Sequence, residues 1–250
     1  IYYSQEARPY SLFMLLTLFS FYFYVKLLEE KNIKNIFGYS FFTLLLLYTH
    51  HFSFLVLLVQ NVYYLLLNRK KEVKLIHWFI IQFVLGLMFL PWLPILIKQI
   101  QSNRLYSWIP KPSLFDILKT FDVFFNNTYF LLILIFIVLI IFVVKNKKNK
   151  IKTDRYGLSL ILMWAFIPFI IVIIYSLNFV SLYHMRYFIF TLPAFYIFFA
   201  WCISEVSNNT LIKTAIITTM IISSVPSIIY QFKHVDKDDW RSISMFIKEN

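Results

Sequence analysis

The class of fold is decided by residues 12–28, which read LFMLLTLFSFYFYVKLL. This run carries a single charge, Lys26, close to its end. A helix of about 17 to 25 predominantly apolar residues is long enough to cross a bilayer. Further apolar runs follow at 37–67, 75–97, 128–144, 156–178, 187–203 and 214–230. We therefore predict an all-α, polytopic transmembrane helical bundle with about eight membrane helices.

The composition of the whole chain agrees with that class. It is 60% hydrophobic and only 14% charged, whereas soluble domains carry about 25% charged residues. This composition therefore argues against a soluble protein with buried helices. The single cysteine, Cys202, excludes a disulfide within the chain. The net charge of +12 lies mainly in short loops between apolar runs, so it indicates contact with membrane lipid and no nucleic-acid partner.

The basic loops predict the topology. Lysines and arginines concentrate at 26–34, 68–74 and 145–155, and short loops rich in these residues stay in the cytoplasm. The run at 37–67 lies between two such loops, so it has to cross an even number of times. We predict a short hairpin of two helices, at about 37–49 and 52–67, with its tip at Tyr48-Thr49-His50-His51 on the outer side.

The remaining segments alternate across the membrane. Residues 75–97 run outward, and Pro91 and Pro94 are expected to kink or end that helix. A long outer loop is predicted at 98–127 and a short one at 179–186. Because the chain starts at Ile1, we interpret 1–230 as a polytopic membrane domain without its N-terminal part, and 231–250 as the start of a truncated extracytoplasmic soluble domain.

Immediately before the first apolar run, the chain reads Tyr2-Tyr3-Ser4-Gln5-Glu6-Ala7-Arg8-Pro9-Tyr10. This places a carboxylate and a guanidinium two residues apart at a membrane boundary. Ionisable groups in such places are rare without a role, so Glu6 and Arg8 are functional candidates. The alternative is a pair of charges that only anchors the helix end in the interface.

Most side chains capable of chemistry are predicted on the outer side of the membrane. They are Glu6, Arg8, His50, His51, Arg104, Trp108, Asp116, Asp122, His184, Arg186 and the run 238–241. This one-sidedness suits an enzyme that uses a lipid-linked substrate outside the cytoplasm. Such a reaction needs a base for the acceptor, cations for a phosphate leaving group and an apolar groove. Packing, capping and interface anchoring remain the alternative roles, and adjacent histidines rarely bind one metal.

Several motifs resemble those of the GT-C-fold membrane glycosyltransferases of bacteria and archaea, relatives of the dolichyl-phosphate-mannose protein mannosyltransferases and lipid A aminoarabinose transferases. The YSQEAR-type string at 3–8 is the first element. It is followed in the family's order by Tyr48-Thr49-His50-His51-Phe52, by the Pro-Trp-Leu-Pro element at 91–94, by the Arg-Tyr-apolar-Pro segment at 186–194 and by Asp-Trp-Arg at 239–241. Together these elements extend over most of the chain.

The resemblance implies a partial GT-C-like fold and transfer of a sugar from a polyprenyl-phosphate donor, with inversion, on the outer face of the plasma membrane. Glu6 would be a catalytic carboxylate. The donor would be bound by Arg8 and Arg186, with Tyr10 and Tyr187 beside them and His50 or His51 as a further donor of hydrogen bonds. The principal catalytic acid would lie upstream of Ile1. The acceptor, whether glycan, lipid or protein, and a need for a divalent cation stay open.

Two other functions are considered. One is a polytopic transporter or lipid flippase, and the other is a membrane subunit without catalytic activity. Close packing of moving helices favours small residues, and the chain has only three glycines. This composition favours the enzyme over the transporter.

Overall fold

A computed structural model describes residues 9–67, 72–104, 109–124, 155–206 and 210–233. Those residues form nine α-helices and two short 3-10 segments, with no strand among them. The helices are α1 (Tyr10–Glu29), α2 (Ile33–Thr49), α3 (Ser53–Leu67), α4 (Leu75–Phe89), α5 (Leu93–Arg104), α6 (Leu114–Phe124), α7 (Arg155–Asn178), α8 (Leu192–Val206) and α9 (Thr210–Lys233). The 3-10 segments are Leu90–Trp92 and Met185–Thr191. The prediction of an all-α fold is confirmed for this part of the chain.

Within the described part of the chain, five helical segments are long and apolar enough to cross a membrane, which makes this a multi-pass membrane protein by length and composition. They are Tyr10–Glu29, Leu75–Gln101, Tyr156–Asn178, Met185–Ser204 and Thr210–Tyr230, and each coincides with a predicted apolar run. The run at 128–144 lies outside the described residues. The expected count of about eight membrane helices therefore stays a prediction.

The run at 37–67 is interrupted where the sequence predicts. Helix α2 starts after Asn32, whose side-chain oxygen accepts a hydrogen bond from the N–H of Asn35 at 2.8 Å. It ends at Thr49, and α3 begins at Ser53. The break at His50-His51-Phe52 confirms the two short helices.

Side-chain hydrogen bonds fix which helix ends lie together. Tyr48, at the end of α2, donates to the carbonyl of Met88 near the end of α4, at 2.7 Å. Tyr64, near the end of α3, donates to the carbonyl of Val73 just before α4, at 2.7 Å. The connections at 30–32 and 72–74 therefore lie at one end of the bundle, and the turn at 50–52 lies at the other. This agrees with the predicted relation between the basic loops and the hairpin tip.

The interior of α1 to α4 contains a chain of uncharged polar groups. The amide of Gln60 donates to the hydroxyl of Ser20 at 2.9 Å, and Ser20 lies 2.9 Å from the hydroxyl of Thr43. Tyr39 donates to the side-chain oxygen Oε1 of Gln60 at 3.1 Å and accepts from the side-chain amide of Gln82 at 3.1 Å. Hydrogen bonds between helices contribute about 0.6 to 2 kcal/mol each in membrane proteins, so this network fixes the relative positions of four helices.

The predicted outer loop at 98–127 is wrong in two places. Helix α5 continues to Arg104, because the prolines at 91 and 94 interrupt the helix only briefly, at the 3-10 segment Leu90–Trp92. Helix α6 occupies Leu114–Phe124. It starts with a capping box, in which Ser113 Oγ donates to Asp116 Oδ2 at 2.6 Å and accepts from the Asp116 N–H at 3.2 Å.

The boundary between the membrane domain and the soluble domain was predicted at 231. It falls within α9, and residues 234–250 lie outside the described part.

Candidate functional site

Three aromatic rings from distant parts of the sequence meet at the end of the bundle that carries the turn at 50–52. Tyr10 begins α1, His50 lies in the turn between α2 and α3, and Tyr187 lies in the 3-10 segment Met185–Thr191. The ring centroids are 5.9 Å apart for Tyr10 and His50, 6.2 Å for Tyr10 and Tyr187, and 5.6 Å for His50 and Tyr187. We call these three residues the aromatic triad.

The backbone around His50 fixes the orientation of its ring. His50 is extended, with φ −156° and ψ 143°, and its carbonyl accepts a hydrogen bond from the N–H of Ser53 at 3.0 Å. Its Nδ1 accepts from the N–H of Phe52 at 3.1 Å. An imidazole nitrogen accepts only when it carries no proton, so this bond assigns the proton of neutral His50 to Nε2. Nε2 is then the nitrogen that can donate to a ligand.

The environment of His50 favours the neutral ring. Phe13 stacks on it, with centroids 4.9 Å apart and an interplanar angle of 23°, and Phe52 contacts it edge-on at 5.5 Å. Burial, and to a smaller extent the neighbouring His51, lower the pKa of His50 to about 4. At neutral pH His50 is therefore a hydrogen-bond donor without charge. His51 is exposed beside it, with ring centroids 6.2 Å apart.

Arg186 is held against His184, which is the residue that caps the 3-10 segment. The main-chain N–H and the Nε–H of Arg186 both point at Nδ1 of His184, at 3.4 and 3.3 Å. One terminal nitrogen of the guanidinium lies 3.1 Å from Nε2 of the same ring. Neutral histidine has one acceptor nitrogen, so its tautomer decides which of these contacts is a hydrogen bond. The ring of His184 in turn contacts Tyr187 of the triad at 5.4 Å.

The residues predicted from the sequence thus have different outcomes. Tyr10, His50 and Tyr187 contact one another directly, and His51 adjoins them. Arg186 is connected to the triad through His184. Glu6 and Arg8 lie outside the described residues, and so does the run at 238–241.

The structure describes the surroundings of two acidic candidates on the predicted outer side, Asp116 and Asp122. Asp116 belongs to the capping box of α6, and its hydrogen bonds from Ser113 hold the pKa of its carboxyl below the usual range. Asp122 is half-buried, and burial raises the pKa of its carboxyl. No group of three or more histidine, cysteine, aspartate or glutamate residues that could hold a metal ion occurs within the described ranges.

Sequence reasoning missed the phenylalanines that surround the triad. Phe13 and Phe52 contact His50, and Phe52 also contacts Tyr187 at 5.4 Å. In the sequence they are indistinguishable from the other aromatic side chains of the apolar runs, because periodicity does not separate a ring that faces lipid from one that faces a site. The one available signal was position in the sequence, because Phe52 is the last residue of the motif at 48–52 and Phe13 lies shortly after the first motif.

Chemically, this end of the bundle combines three kinds of group. The phenolic hydroxyls of Tyr10 and Tyr187 and the Nε2–H of His50 can donate hydrogen bonds to oxygen atoms. The guanidinium of Arg186 can bind two oxygens of a phosphate in a fork. The aromatic faces can cover an apolar surface. Comparison of the chain with protein-family models, with curated proteins and with solved structures gave no match.

Proposed function

We propose that the protein is an integral-membrane glycosyltransferase that transfers a sugar from a polyprenyl-phosphate-linked donor to an acceptor on the extracytoplasmic face of the plasma membrane. The observation that carries this proposal is the contact between Tyr10, His50 and Tyr187. His50 and Tyr187 belong to two of the sequence elements that resemble the GT-C-fold glycosyltransferases, and Tyr10 follows a third, at 3–8, after Pro9. The three elements lie far apart in the chain. A shared site explains why they meet.

In this proposal Arg186 binds the phosphate of the donor. His184 orients the guanidinium, and the hydroxyls of Tyr10 and Tyr187 with the Nε2–H of His50 add donors to the phosphate or the sugar. Such donors stabilise the negative charge that grows on the phosphate as it leaves. Arg8 is a second cation for the same group. The aromatic and apolar surroundings accept the first units of the lipid chain.

The transfer itself is a single displacement at the anomeric carbon, as inversion requires. The bond from that carbon to the phosphate oxygen breaks, and polyprenyl phosphate leaves with the electron pair. A bond to the acceptor oxygen forms, and the acceptor proton goes to a carboxylate. We assign Glu6 to the activation or positioning of the acceptor. Carboxylates act as bases in this way when they lie within hydrogen-bond reach of the proton.

A transporter or lipid flippase is the alternative, and the described part of the chain gives it less support. Ionisable groups inside the membrane mark ion and proton pathways in transporters. Every buried polar residue among those described is uncharged: Thr17, Ser20, Asn35, Thr43, Ser53, Gln60, Thr120, Ser176, Ser181 and Thr191. These groups suit static hydrogen bonds between helices.

The proposal is tested with the full-length protein in lipid nanodiscs and a radiolabelled polyprenyl-phosphate sugar. We expect transfer to an acceptor, and we expect Glu6→Gln to lower the turnover by at least about tenfold while donor binding is retained. Glu29→Gln is the matched control, because Glu29 lies at the far end of α1, where it pairs with Lys26 at 3.4 Å on the surface. Turnover of this variant should stay at the wild-type level.

Two results would contradict the proposal. Normal turnover by Glu6→Gln would reduce Glu6 to an interface anchor. Absence of any transfer, combined with movement of fluorescent polyprenyl phosphate between the leaflets of proteoliposomes, would identify a flippase.

A further inference from the structure

Two stretches that the sequence predicted as separate outer loops contact each other in the structure. One is residues 109–124, which contain α6. The other is the connection at 179–184, which runs from the end of α7 to the 3-10 segment that carries Arg186 and Tyr187. Residues 179–184 form no helix or strand, so backbone hydrogen bonds of a regular element do not fix their course. Side-chain hydrogen bonds fix it instead.

The first part of the connection is held from two sides. Ser181 donates to the carbonyl of Pro110 at 2.7 Å. The N–H of Leu182 donates to the hydroxyl of Ser176 in α7 at 3.0 Å. Both serines are buried, and hydrogen bonds away from water are stronger than those on a surface.

Helix α6 is itself fixed, because it runs along α7 in the opposite direction. Before α6 begins, Lys111 donates to the carbonyl of Leu177 at the end of α7, at 2.9 Å. Further along both helices, the ring of Phe121 stacks on that of Phe169, with centroids 5.6 Å apart. Residues 109–124 are therefore packed against a candidate membrane span and can support the connection.

The bond that comes nearest to the candidate site joins Tyr183 to Thr120. Their hydroxyl oxygens lie 2.8 Å apart, and both residues are buried. The hydroxyl of Thr120 donates its one proton to the carbonyl of Asp116 at 2.9 Å. It therefore accepts in its bond with Tyr183, and the phenol of Tyr183 is the donor.

Tyr183 connects this support with the residues assigned to the donor. Its ring packs against that of Phe188, with centroids 5.1 Å apart. It directly precedes His184, which contacts both Arg186 and Tyr187. A displacement of Tyr183 would therefore move His184 and the guanidinium that His184 orients. Misplacement of a binding group by about 1 Å can be costly even when its cause lies outside the site.

We propose that Tyr183 is a positioning residue, which keeps Arg186 and Tyr187 in the geometry that binds the donor phosphate, and that residues 109–124 support it through Thr120. The part that concerns the donor rests on the proposed glycosyltransferase function. The fixation of the 3-10 segment does not, so the two parts can be tested separately.

The test removes the two hydroxyls separately and together, in Thr120→Val, Tyr183→Phe and the double variant, with the full-length protein in nanodiscs. Thr120→Ser is the conservative variant, because it keeps the accepting hydroxyl. Tyr196→Phe is the matched control, since Tyr196 in α8 also donates to α6, at the carbonyl of Phe124 and 3.1 Å away, but is not part of the connection.

Three quantities are measured for each variant. They are the Kd for a radiolabelled polyprenyl-phosphate sugar, the rate of hydrogen exchange of the N–H groups at 184–191, and the unfolding temperature. The unfolding temperature shows that each variant is folded and reports the general loss of stability.

We expect Thr120→Val to raise the Kd about fivefold, because it leaves the buried phenol of Tyr183 without an acceptor. Tyr183→Phe should raise the Kd less, and the double variant should be no weaker than Thr120→Val alone, because both changes remove the same bond. Thr120→Ser should bind as the wild type does. Exchange at 184–191 should be at least about threefold faster in Thr120→Val. Tyr196→Phe should lower the unfolding temperature about as much as Tyr183→Phe while its Kd and exchange stay unchanged.

Several results would overturn the inference. Unchanged exchange at 184–191 in Thr120→Val would show that the bond does not fix the segment. Faster exchange with an unchanged Kd would remove the role in donor binding, and equal effects of Tyr196→Phe on the Kd would reduce Tyr183 to general stability. A wild-type protein that binds no donor would contradict the proposed function. Faster exchange in Thr120→Val, but not in Tyr196→Phe, would then still support the fixation of the segment.

Discussion

The side chains of His184 and Arg186 lie together, with Nε of Arg186 3.3 Å from Nδ1 of His184. Only Met185 separates them in sequence, and the extended backbone of His184, with φ −138° and ψ 130°, brings them to the same side at the start of the 3-10 segment. A histidine that accepts a hydrogen bond from a guanidinium restricts the rotamers of the long arginine side chain. Less conformational entropy is then lost when the arginine binds an anion.

This arrangement predicts that Arg186→Lys weakens donor binding although the charge is kept. A lysine ammonium does not reproduce the planar fork that contacts His184 and grips two phosphate oxygens. We expect the Kd for the polyprenyl-phosphate sugar to rise by at least about tenfold, about 1.4 kcal/mol, measured by equilibrium binding in nanodiscs. Lys119→Arg, an exchange of cations on the surface of α6, serves as control and should bind normally. An unchanged Kd for Arg186→Lys would leave this segment as an interface anchor.

The topology prediction concerns the side of the membrane on which the turn at 50–52 lies. Cysteine is introduced at Thr49 in a Cys202→Ala background and is expected to react with a membrane-impermeant reagent in intact cells. Lys34→Cys, at the opposite end of α2 in the same background, should react only after the membrane is opened. The reverse pattern would put the aromatic triad on the cytoplasmic side, and the proposed site of action would then be wrong.

Replacement by alanine should affect stability differently at two glycines, Gly38 and Gly86. Gly38 is buried in α2, and a Cβ there would overlap the ring of Phe23 in α1. Gly86 in α4 is exposed, and a Cβ would meet nothing within 4 Å. Gly38→Ala should destabilise by about 1 to 3 kcal/mol, whereas Gly86→Ala should be neutral or stabilise by up to about 1 kcal/mol.

Thermal unfolding in one detergent measures both variants side by side. Equal unfolding temperatures for Gly38→Ala and Gly86→Ala would show that α1 and α2 do not approach as closely as the structure places them.

Stability should also depend on pH through His50. Its pKa is lowered by burial from 6.5 to about 4, so between these values the unfolded chain binds the proton more readily than the folded chain. Stability is therefore complete above about pH 6.5 and is lost as the pH falls towards 4. The loss is on the order of 3 kcal/mol at most. Phenylalanine at this position keeps the stacking on Phe13 and removes the titration.

The measurement compares unfolding temperatures at pH 7 and pH 4.5 for the wild type and His50→Phe. The wild type should lose more stability on acidification than the variant. Identical losses would assign the pH dependence to other groups.

Much of the fold could be predicted because it depends on local properties of the sequence. The break between α2 and α3 follows from a long apolar run between two basic loops, and its residues, His50 and His51, are polar. The helix at Leu114–Phe124 was missed, because a short amphipathic segment that follows two prolines looks like a loop when only long apolar runs are sought. Its capping box, Ser113 with Asp116, was the overlooked signal.

The candidate site could be predicted only in part. The motifs indicated Tyr10, His50, His51, Arg186 and Tyr187 as individual residues, but neither spacing nor periodicity relates positions so far apart. The roles of Phe13 and His184 depend on contacts within the folded bundle. From the sequence, the acidic groups on the predicted outer side were grouped as candidates for one site. In the structure, Asp116 instead belongs to the capping box of α6.

By itself, the sequence determined that this is a helical, multi-pass membrane protein, since the length and apolarity of a segment are enough to favour its insertion as a helix. It also determined where the hairpin breaks. Only the tertiary structure decided that Tyr10, His50 and Tyr187 meet, and that Tyr183 contacts Thr120 of α6. Both depend on how each helix is rotated and where it packs against its neighbours. The rotation and packing of the helices are set by close contacts, such as the ring of Phe23 against the backbone of Gly38, and by hydrogen bonds, such as that from Tyr24 to the main-chain carbonyl of Gln60.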